Sequence, residues 1–487
     1  MAIIDSVIAW FSPRMAYERQ AWRNEYEYLR SNYDAASMGR NNAPWRTYND
    51  SAEMTDRSSR EIIRARARDL ERNSDMANGL ISAFVRNVIG KGYTLQCKTD
   101  NDDLNSQIED LWNTWTKKQH CDVTGSQSLN QILRMAVRRK KVDGGILFIK
   151  CYTGNKIPFQ LQAVEVDELS LIAMSPKHKG NRVVNGIEYN EYNKPVGFWI
   201  QQYSVDGFNS VQPKYYPAEK VIFIFDKKRP SQIREISDLA PSLTRIRDSN
   251  EFIQAVSIKE RIAACLSVFI KRVVPTQTGL GRNSISNDPR MSYSGKSLSP
   301  GMITEMNPGD EIQIVDPKNA SSDATAFLKT QQRLMGAGQG LSYEATSRDM
   351  SEVNYSSARQ GLIEDELTYD EEKEWVKELL SEIFETFLIS AVLAKAIDIK
   401  DFWGNKEKFM KHIWVESPRK WIDPVKEANA NKIAIETGQK TFKQIAAENG
   451  RDWKQQIDDA AEVAEYCAQK NIDIGGGMYG KLKKDEQ

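Results

Sequence analysis

Apolar residues recur at steps of three, four and seven along one stretch: Leu239, Leu243, Ile246, Ile253, Val256, Ala263, Leu266 and Ile270. That spacing draws a narrow stripe down one side of a helix. Asp238 is placed to cap it, and Pro241 falls in the first turn, where its missing donor costs nothing. Run to Arg272, the rod would be about 50 Å long at about 1.5 Å per residue. Arg245, Arg247, Asp248, Glu251, Lys259, Glu260 and Arg261 crowd its other faces. So thin a stripe on so long a rod predicts packing against neighbours in an assembly.

Upstream, the first eleven residues read as an amphipathic helix rather than a signal peptide, because Asp5 interrupts a short apolar run. Tyr17, Trp22, Tyr26 and Leu29 keep helical spacing over 15–30, and 31–55 is a polar arm with Gly39, Asn41, Asn42 and Pro44. Helices are predicted over 58–71 and 75–88, the second ended by Gly90-Lys91-Gly92. A strand at 93–97 precedes a helix at 105–119, which has Leu111, Trp112 and Trp115 on one side. A helix at 128–142 turns Ile132, Met135 and Ala136 inward, and Arg134, Arg138, Arg139, Lys140 and Lys141 read as its solvated face. From Gly144 to Phe225 the period becomes two, which predicts antiparallel strands at 146–151, 159–164, 183–189, 196–202 and 220–225.

Downstream, 273–322 is rich in Gly, Ser, Pro and Asn, with β-like pieces at 302–306 and 311–315. A helix at 325–339 is weakened at its end by Gly336 and Gly338. A polar loop follows, unusual inside a compact domain unless it has a task. A second long helix spans 355–396 and opens with Glu364, Asp365, Glu366, Asp370, Glu371, Glu372 and Glu374. The segment 423–470 is helical and polar, with Gly438 and Gly450 as stops, and 475–487 is a flexible tail. No repeat of fixed period occurs. The fold class is α+β.

Bulk properties narrow the function. The 487 residues carry 67 Lys+Arg and 67 Asp+Glu, a formal net charge of zero. A tight DNA binder carries a basic excess; neutrality suits a surface past which a polyanion slides. Cys97, Cys121, Cys151, Cys265 and Cys467 are odd in number and scattered, which fits free thiols. His120, His178 and His412 share no metal-ligand spacing. No run of about 18 apolar residues is present, so no membrane span is expected.

Candidate chemistry is sparse. Ser294-Gly295-Lys296-Ser297 ends like a phosphate-binding loop, but Arg290 stands where the pattern needs glycine. Gly336-Ala337-Gly338-Gln339-Gly340 follows a helix and reads as a hinge rather than a dinucleotide turn. The acids from Glu364 to Glu374 sit on several faces of a helix, so a solvated or pore-facing surface is expected over a two-metal site. The eleven tryptophans lie mostly in apolar periodic contexts and read as core or interface. No catalytic constellation emerges, and neither a cofactor nor a metal is expected.

Several stretches follow one family's pattern in order. Arg68-Asp69-Leu70-Glu71-Arg72-Asn73 resembles Arg-Asp-Leu-x-Arg-Asn, and Asn87-Val88-Ile89-Gly90-Lys91-Gly92 resembles Asn-x-Val-Gly-x-Gly. Val142-Asp143-Gly144-Gly145 resembles Asp-Gly-Glu, with Gly145 in place of the glutamate. Phe225 to Glu235 resembles a segment ending Arg-Pro-Gly-Gln-x-Arg-Gly, with Ser231 and Glu235 where glycines are usual. Leu239-Ala240-Pro241 follows. Gly340-Leu341-Ser342-Tyr343, Asn354-Tyr355-Ser356-Ser357-x-Arg359 and Trp421-Ile422-Asp423-Pro424-x-Lys426-Glu427 complete the set. The chain thereby resembles the lambda-type phage portal proteins.

That resemblance implies a portal fold: a mixed helical and β-rich wing with an N-terminal arm (1–238), stem helices (239–272 and 323–340) and a small β-containing clip (273–322). A tunnel loop (341–357), a long helix returning to the wing (358–422) and a helical crown with a flexible tail (423–487) complete it. It implies a dodecameric head-to-tail connector at one capsid vertex, assembled in the host cytoplasm and carried in the virion. The implied partners are the large terminase subunit, head-completion or adaptor proteins, the major capsid or scaffold protein, and double-stranded DNA that passes without sequence recognition. Twelve stem helices about 10 Å apart leave a bore of roughly 28 Å, enough for hydrated duplex DNA. Tyr343, Arg348 and Arg359 are the candidates for facing that DNA, Arg348 first. Asn354, Tyr355, Ser356 and Ser357 are family motif positions. The alternative for Arg348 is an ion pair with Glu344 or Glu352, and for Arg359 one with an acid of the neighbouring helix. Competing functions are a metal-dependent nuclease subunit using the acidic helix, or another phage structural component.

Overall fold

A computed structural model describes residues 49–265 and 324–472, apart from 154–155, 173, 208–211, 352, 419–422 and 471. It also describes 269–270, 304–305 and eleven positions between 10 and 45. The chain divides into Met1–Thr55 and Asp56–Gln487. Within the first unit, Trp10, Tyr17, Trp22 and Trp45 are exposed, and Arg14 pairs with Glu18 at 3.2 Å.

Helix α1 (Ala52–Asn73) leads to α2 (Asp75–Val88), whose cap Ser74 accepts from the Ala77 N–H. The glycines predicted to stop α2 do so, with Gly90 at φ 53° and Gly92 at φ 110°. Strand β1 (Thr94–Cys97) and α3 (Asp102–Trp115), capped by Asn101, follow. Trp112 and Trp115 stack at 5.2 Å, and Phe159 stacks on Trp115 at 5.3 Å. Phe384, Phe387 and Trp414 close around Trp112. This aromatic nest is the centre of the main core, as the apolar context of Trp112 and Trp115 predicts.

Helix α4 (Leu129–Asp143) ends at Gly144 in the left-handed region. A β-carbon on Gly144 would lie 2.4 Å from the Ile236 backbone, so the Asp-Gly of the motif is a steric requirement. The solvated face predicted for α4 is not all solvated. Lys140 and Lys141 are buried, because acids from two distant segments converge on them.

Two antiparallel sheets stand where one five-stranded region was expected. The first has the order β3-β2-β8, from β2 (Gly145–Tyr152), β3 (Phe159–Val164) and β8 (Val221–Phe225). The second runs β4-β5-β6-β7, from β4 (Arg182–Val184), β5 (Ile187–Tyr189), β6 (Pro195–Ile200) and β7 (Lys214–Pro217). The single strand predicted over 183–189 is a hairpin. Asn185 and Gly186 both have positive φ, 48° and 81°, as a two-residue type I′ turn needs. Strand β2 serves two cores: Ile146 and Phe148 join the main one, while Leu147 and Ile149 join a smaller one with Ile187, Phe198 and Ile200.

The rod predicted from Asp238 begins later and ends earlier, as α5 (Leu243–Cys265). Leu239 to Ser242 form a turn, with Ser242 N–H donating to Leu239 O at 2.8 Å. Ile270 lies in a two-residue strand, β9 (Phe269–Ile270), parallel to β10 (Thr304–Glu305). The other residues of 273–322, including the Ser294–Ser297 motif, lie outside the described residues. The apolar stripe divides. Leu239, Leu243 and Ile246 are buried in the chain's own core, whereas Ile253 is exposed.

Helix α6 (Ala324–Ala337) returns antiparallel to α5: Phe252 meets Phe327 at 4.7 Å, and Gln339 Nε2 donates to Asp238 O at 2.9 Å. A short α7 (Tyr343–Ser347) precedes α8 (Tyr355–Leu393), 39 residues long. Its later half is core, with Val376, Leu380, Ile383, Phe384, Phe387 and Ala391 buried. Strand β11 (His412–Val415) pairs antiparallel with β1. Helices α9 (Pro424–Glu436), α10 (Phe442–Glu448) and α11 (Trp453–Lys470) follow. They are tied back to β1 and α3 by Gln96 Nε2 donating to Asp452 at 2.8 Å and by Lys454–Asp102 at 2.7 Å.

Candidate functional site

The polar segment after α6 is anchored at both ends. Gly340 turns at φ 69°, and a β-carbon there would lie 2.8 Å from Thr368 Oγ1. That hydroxyl donates to Gly340 O at 2.6 Å. Ser342 N–H donates to Asp365 Oδ1 at 2.6 Å and its hydroxyl to Oδ2 at 2.7 Å. The same hydroxyl accepts from Ala345 N–H at 3.2 Å and so caps α7. Asp365 is buried; burial raises its carboxyl pKa more than the Ser342 hydrogen bonds lower it. At the far end the Asn354 side chain accepts from Ser357 N–H at 2.9 Å and caps α8.

What reads as a loop is therefore one helical turn followed by a short exposed bend. Thr346 on α7 lines a cavity of about 20 Å³ with Met76, Leu80, Ile246, Gln332 and Met335, which seats α7 on α2, α5 and α6. Arg348 then takes the left-handed conformation at φ 59°, and its N–H donates to Glu344 O at 2.9 Å. Asp349 closes the bend, accepting from Ser351 N–H at 3.0 Å and from Tyr343 OH at 3.1 Å. Hydrogen bonds from Ser351 lead in holding the Asp349 carboxyl below its ordinary pKa.

Of the three predicted DNA-facing residues, Tyr343 is half-buried, under the Arg333 guanidinium at 5.4 Å. Arg348 and Arg359 are both exposed. Neither side chain has an ion pair or hydrogen bond among the described residues, so the pairing of Arg348 with Glu344 is not formed. Glu352 lies outside the described residues, as does the side chain of Tyr355. Ser356 and Ser357 are exposed on the first turn of α8. No contact joins Tyr343, Arg348 and Arg359 among the described residues.

The acidic opening of α8 is not uniformly solvated. Glu364, Glu371 and Glu374 are exposed, but Asp365 and Glu372 are buried. Glu372 lies with Asp226 and Asp238 in a group of carboxylates whose oxygens fall within 4.8 Å of one another. Lysines already fill that group. Lys140 Nζ lies 2.6 Å from Asp226, 2.9 Å from Glu372 and 3.6 Å from Asp238. Lys141 Nζ bonds Glu372 and stands 3.3 Å from Asp238; Lys228 reaches Asp238 at 3.0 Å. Three ammonium groups balance three carboxylates, so the set is a structural clasp and does not fit a cation. Burial pushes the Glu372 and Asp238 carboxyls up, but Lys141 and then Lys140 outweigh it and hold both below the usual range. Sequence spacing gives no sign of this clasp, because its members come from α4, the 226–238 loop and α8.

A second network uses the motif residues themselves. Arg68 pairs with Asp143 at 2.7 Å, Asp167 at 2.5 Å and Glu165 at 3.1 Å. Glu71 binds Arg138 at 2.8 Å and Arg139 at 2.5 Å. Glu235, fully buried, binds Arg64 at 3.0 Å and Arg234 at 2.8 Å. The family-like motifs thus knot α1, α4 and the 226–238 loop together, and their charged residues are spent on architecture. Among the described residues, no helix is long and apolar enough to cross a membrane.

Comparison with known proteins agrees with the motifs. "Probable portal protein" of Halomonas phage phiHAP-1 is 26% identical over 406 residues, covering 80% of this chain and 78% of that one. "Portal protein B" of Escherichia phage lambda is 20% identical over 438 residues, covering 80% and 81%. Among solved structures, the neck of the empty GTA particle overlays with a TM-score of 0.42 at 11% identity, covering 79% of this chain and 93% of that one. The neck of the native GTA particle gives 0.41 at 10% identity, covering 81% and 99%. The profile described as "Phage portal protein, lambda family" matches residues 38–373. With more than two thirds of its length carrying that profile, the chain belongs to the lambda family of phage portal proteins.

Proposed function

We propose that copies of this chain, twelve in the closed form, make a ring at one vertex of a tailed-phage capsid through which double-stranded DNA is packaged and later ejected. The observation that carries this reading is the anchored bend between α7 and α8. Its base is fixed by Ser342–Asp365 and Thr368–Gly340, while Arg348 stands exposed without an ion pair among the described residues. A single mobile cation on a rigid base slides along phosphates, where a basic groove would hold them. In this reading 1–238 is the wing, 239–272 and 323–340 the stem, 273–322 the clip, 341–357 the tunnel loop, 358–422 the returning helix and 423–487 the crown. The large terminase, head-completion proteins and capsid or scaffold protein dock on the ring, which is assembled in the host cytoplasm and retained in the virion.

The nuclease reading loses its chemistry at α8, since Glu372 is bound by lysines and Asp365 by Ser342. Electron microscopy of the purified protein should show rings with a central hole. Persistent monomers at every ionic strength would overturn the proposal. Magnesium-dependent cleavage of linear DNA by the purified protein would favour the nuclease instead.

A further inference from the structure

Two helices leave apolar stripes bare, and their charges are opposite. On α6, Phe327 is 40% exposed and Leu334 45%. They stand seven residues apart and share one helix face. The charged residues of α6 are Lys329 and Arg333, with no acid. On α8, Leu362 is 45% exposed, Ile363 46% and Leu367 65%, with Ile363 and Leu367 one turn apart. Around them, residues 355–371 hold one base, Arg359, against Glu364, Asp365, Glu366, Asp370 and Glu371.

Within one chain the helices are joined near Gly340 and Thr368, yet both stripes remain exposed. A closed ring is built from heterologous contacts, in which each copy presents two different, mutually complementary faces. One basic apolar stripe and one acidic apolar stripe on the same rigid joint meet that requirement.

Resting on the ring reading, we infer that the α8 stripe of one copy (Leu362, Ile363 and Leu367, flanked by Glu364 and Glu371) seats on the α6 stripe of its neighbour (Phe327 and Leu334, flanked by Lys329 and Arg333). Burying large aliphatic side chains supplies the affinity, and the opposite charges fix which face meets which.

The test uses the full chain with Leu367→Asp or Leu334→Asp, followed by mass photometry and electron microscopy. Leu367→Ser serves as a milder second variant, and thermal melts like the parent's establish folding. Each variant alone is expected to stay monomeric under conditions where the parent forms rings. Mixed in equal amounts, they are expected to give a one-to-one dimer that grows no further, because each retains the face the other has lost. Rings from either single variant, or a mixture that stays monomeric, would overturn this seam while leaving the ring intact. Absence of rings from the parent itself would overturn the ring reading and the seam together.

Discussion

Gly145 and Glu235 occupy one another's space: a β-carbon built on the glycine would lie 3.3 Å from the Cβ of the glutamate. In the family pattern a glutamate stands at the first position and a glycine at the second. Here the carboxylate has changed sides, from β2 to the loop before α5, and still meets Arg64 and Arg234. Both departures from the pattern are thus one compensated exchange.

The exchange predicts coupling. Glu235→Gly strips two buried arginines of a partner and is expected to cost about 3–5 kcal/mol. Gly145→Glu alone forces a β-carbon to 2.6 Å from Ile224 O and adds a second carboxylate. The double variant should be more stable than the summed costs allow by at least about 1 kcal/mol. A denaturant double-mutant cycle measures it, and additive costs would refute the exchange.

The Lys140–Lys141–Glu372 clasp predicts a similar asymmetry. Glu372→Gln leaves buried ammonium groups under-compensated and should destabilise by about 3–5 kcal/mol. Glu372→Leu combined with Lys141→Met removes a pair of opposite charges and should recover a large part of that loss. Melting temperatures of the three variants decide it; equal losses in the single and the double would show that the charges do not act as a pair.

Acid sensitivity is expected in the β4–β5 module. Burial alone would raise the Glu188 carboxyl pKa, but donation from Asn181 and from the Lys177 and His178 N–H groups outweighs burial and holds it at about 2. A carboxyl depressed in the folded state contributes stability above its unfolded value and loses it as pH falls from about 4.5 towards 2. Glu188→Gln should lower stability at pH 7 and flatten the acid limb over that window. Urea unfolding between pH 7 and 2.5 tests it, and an unchanged slope would exclude Glu188 as the titrating group.

Arg348→Ala is expected to leave folding within about 0.5 kcal/mol of the parent, since the side chain is exposed and without an ion pair among the described residues. Ring formation should persist while DNA packaging or retention changes. Arg348→Gly, which suits the positive φ, should be as stable or slightly more so. Loss of rings in Arg348→Ala would make the residue architectural.

Local signals were legible where the chemistry was local. Ser74, Asn101, Asn354 and Asp423 act as helix caps, and Gly90, Gly92, Gly438 and Gly450 turn where stops were predicted. The hairpin at Asn185-Gly186 carries a strong turn signal, yet the alternation on either side masks it as one strand. Lys140 and Lys141 read as surface because helix spacing cannot reveal carboxylates arriving from residues 226, 238 and 372.

The sequence by itself determined the α+β class, the order of helices and strands, and the family, because caps, periodicity and short motifs act within a few residues. Tertiary structure alone decided which charges are buried, that the stripe from Leu239 to Ile253 is half core and half exposed, and that the segment before α8 is a helical turn on a fixed base. Those outcomes depend on partners hundreds of residues away, and a one-dimensional pattern carries no record of which distant acid a buried lysine will meet.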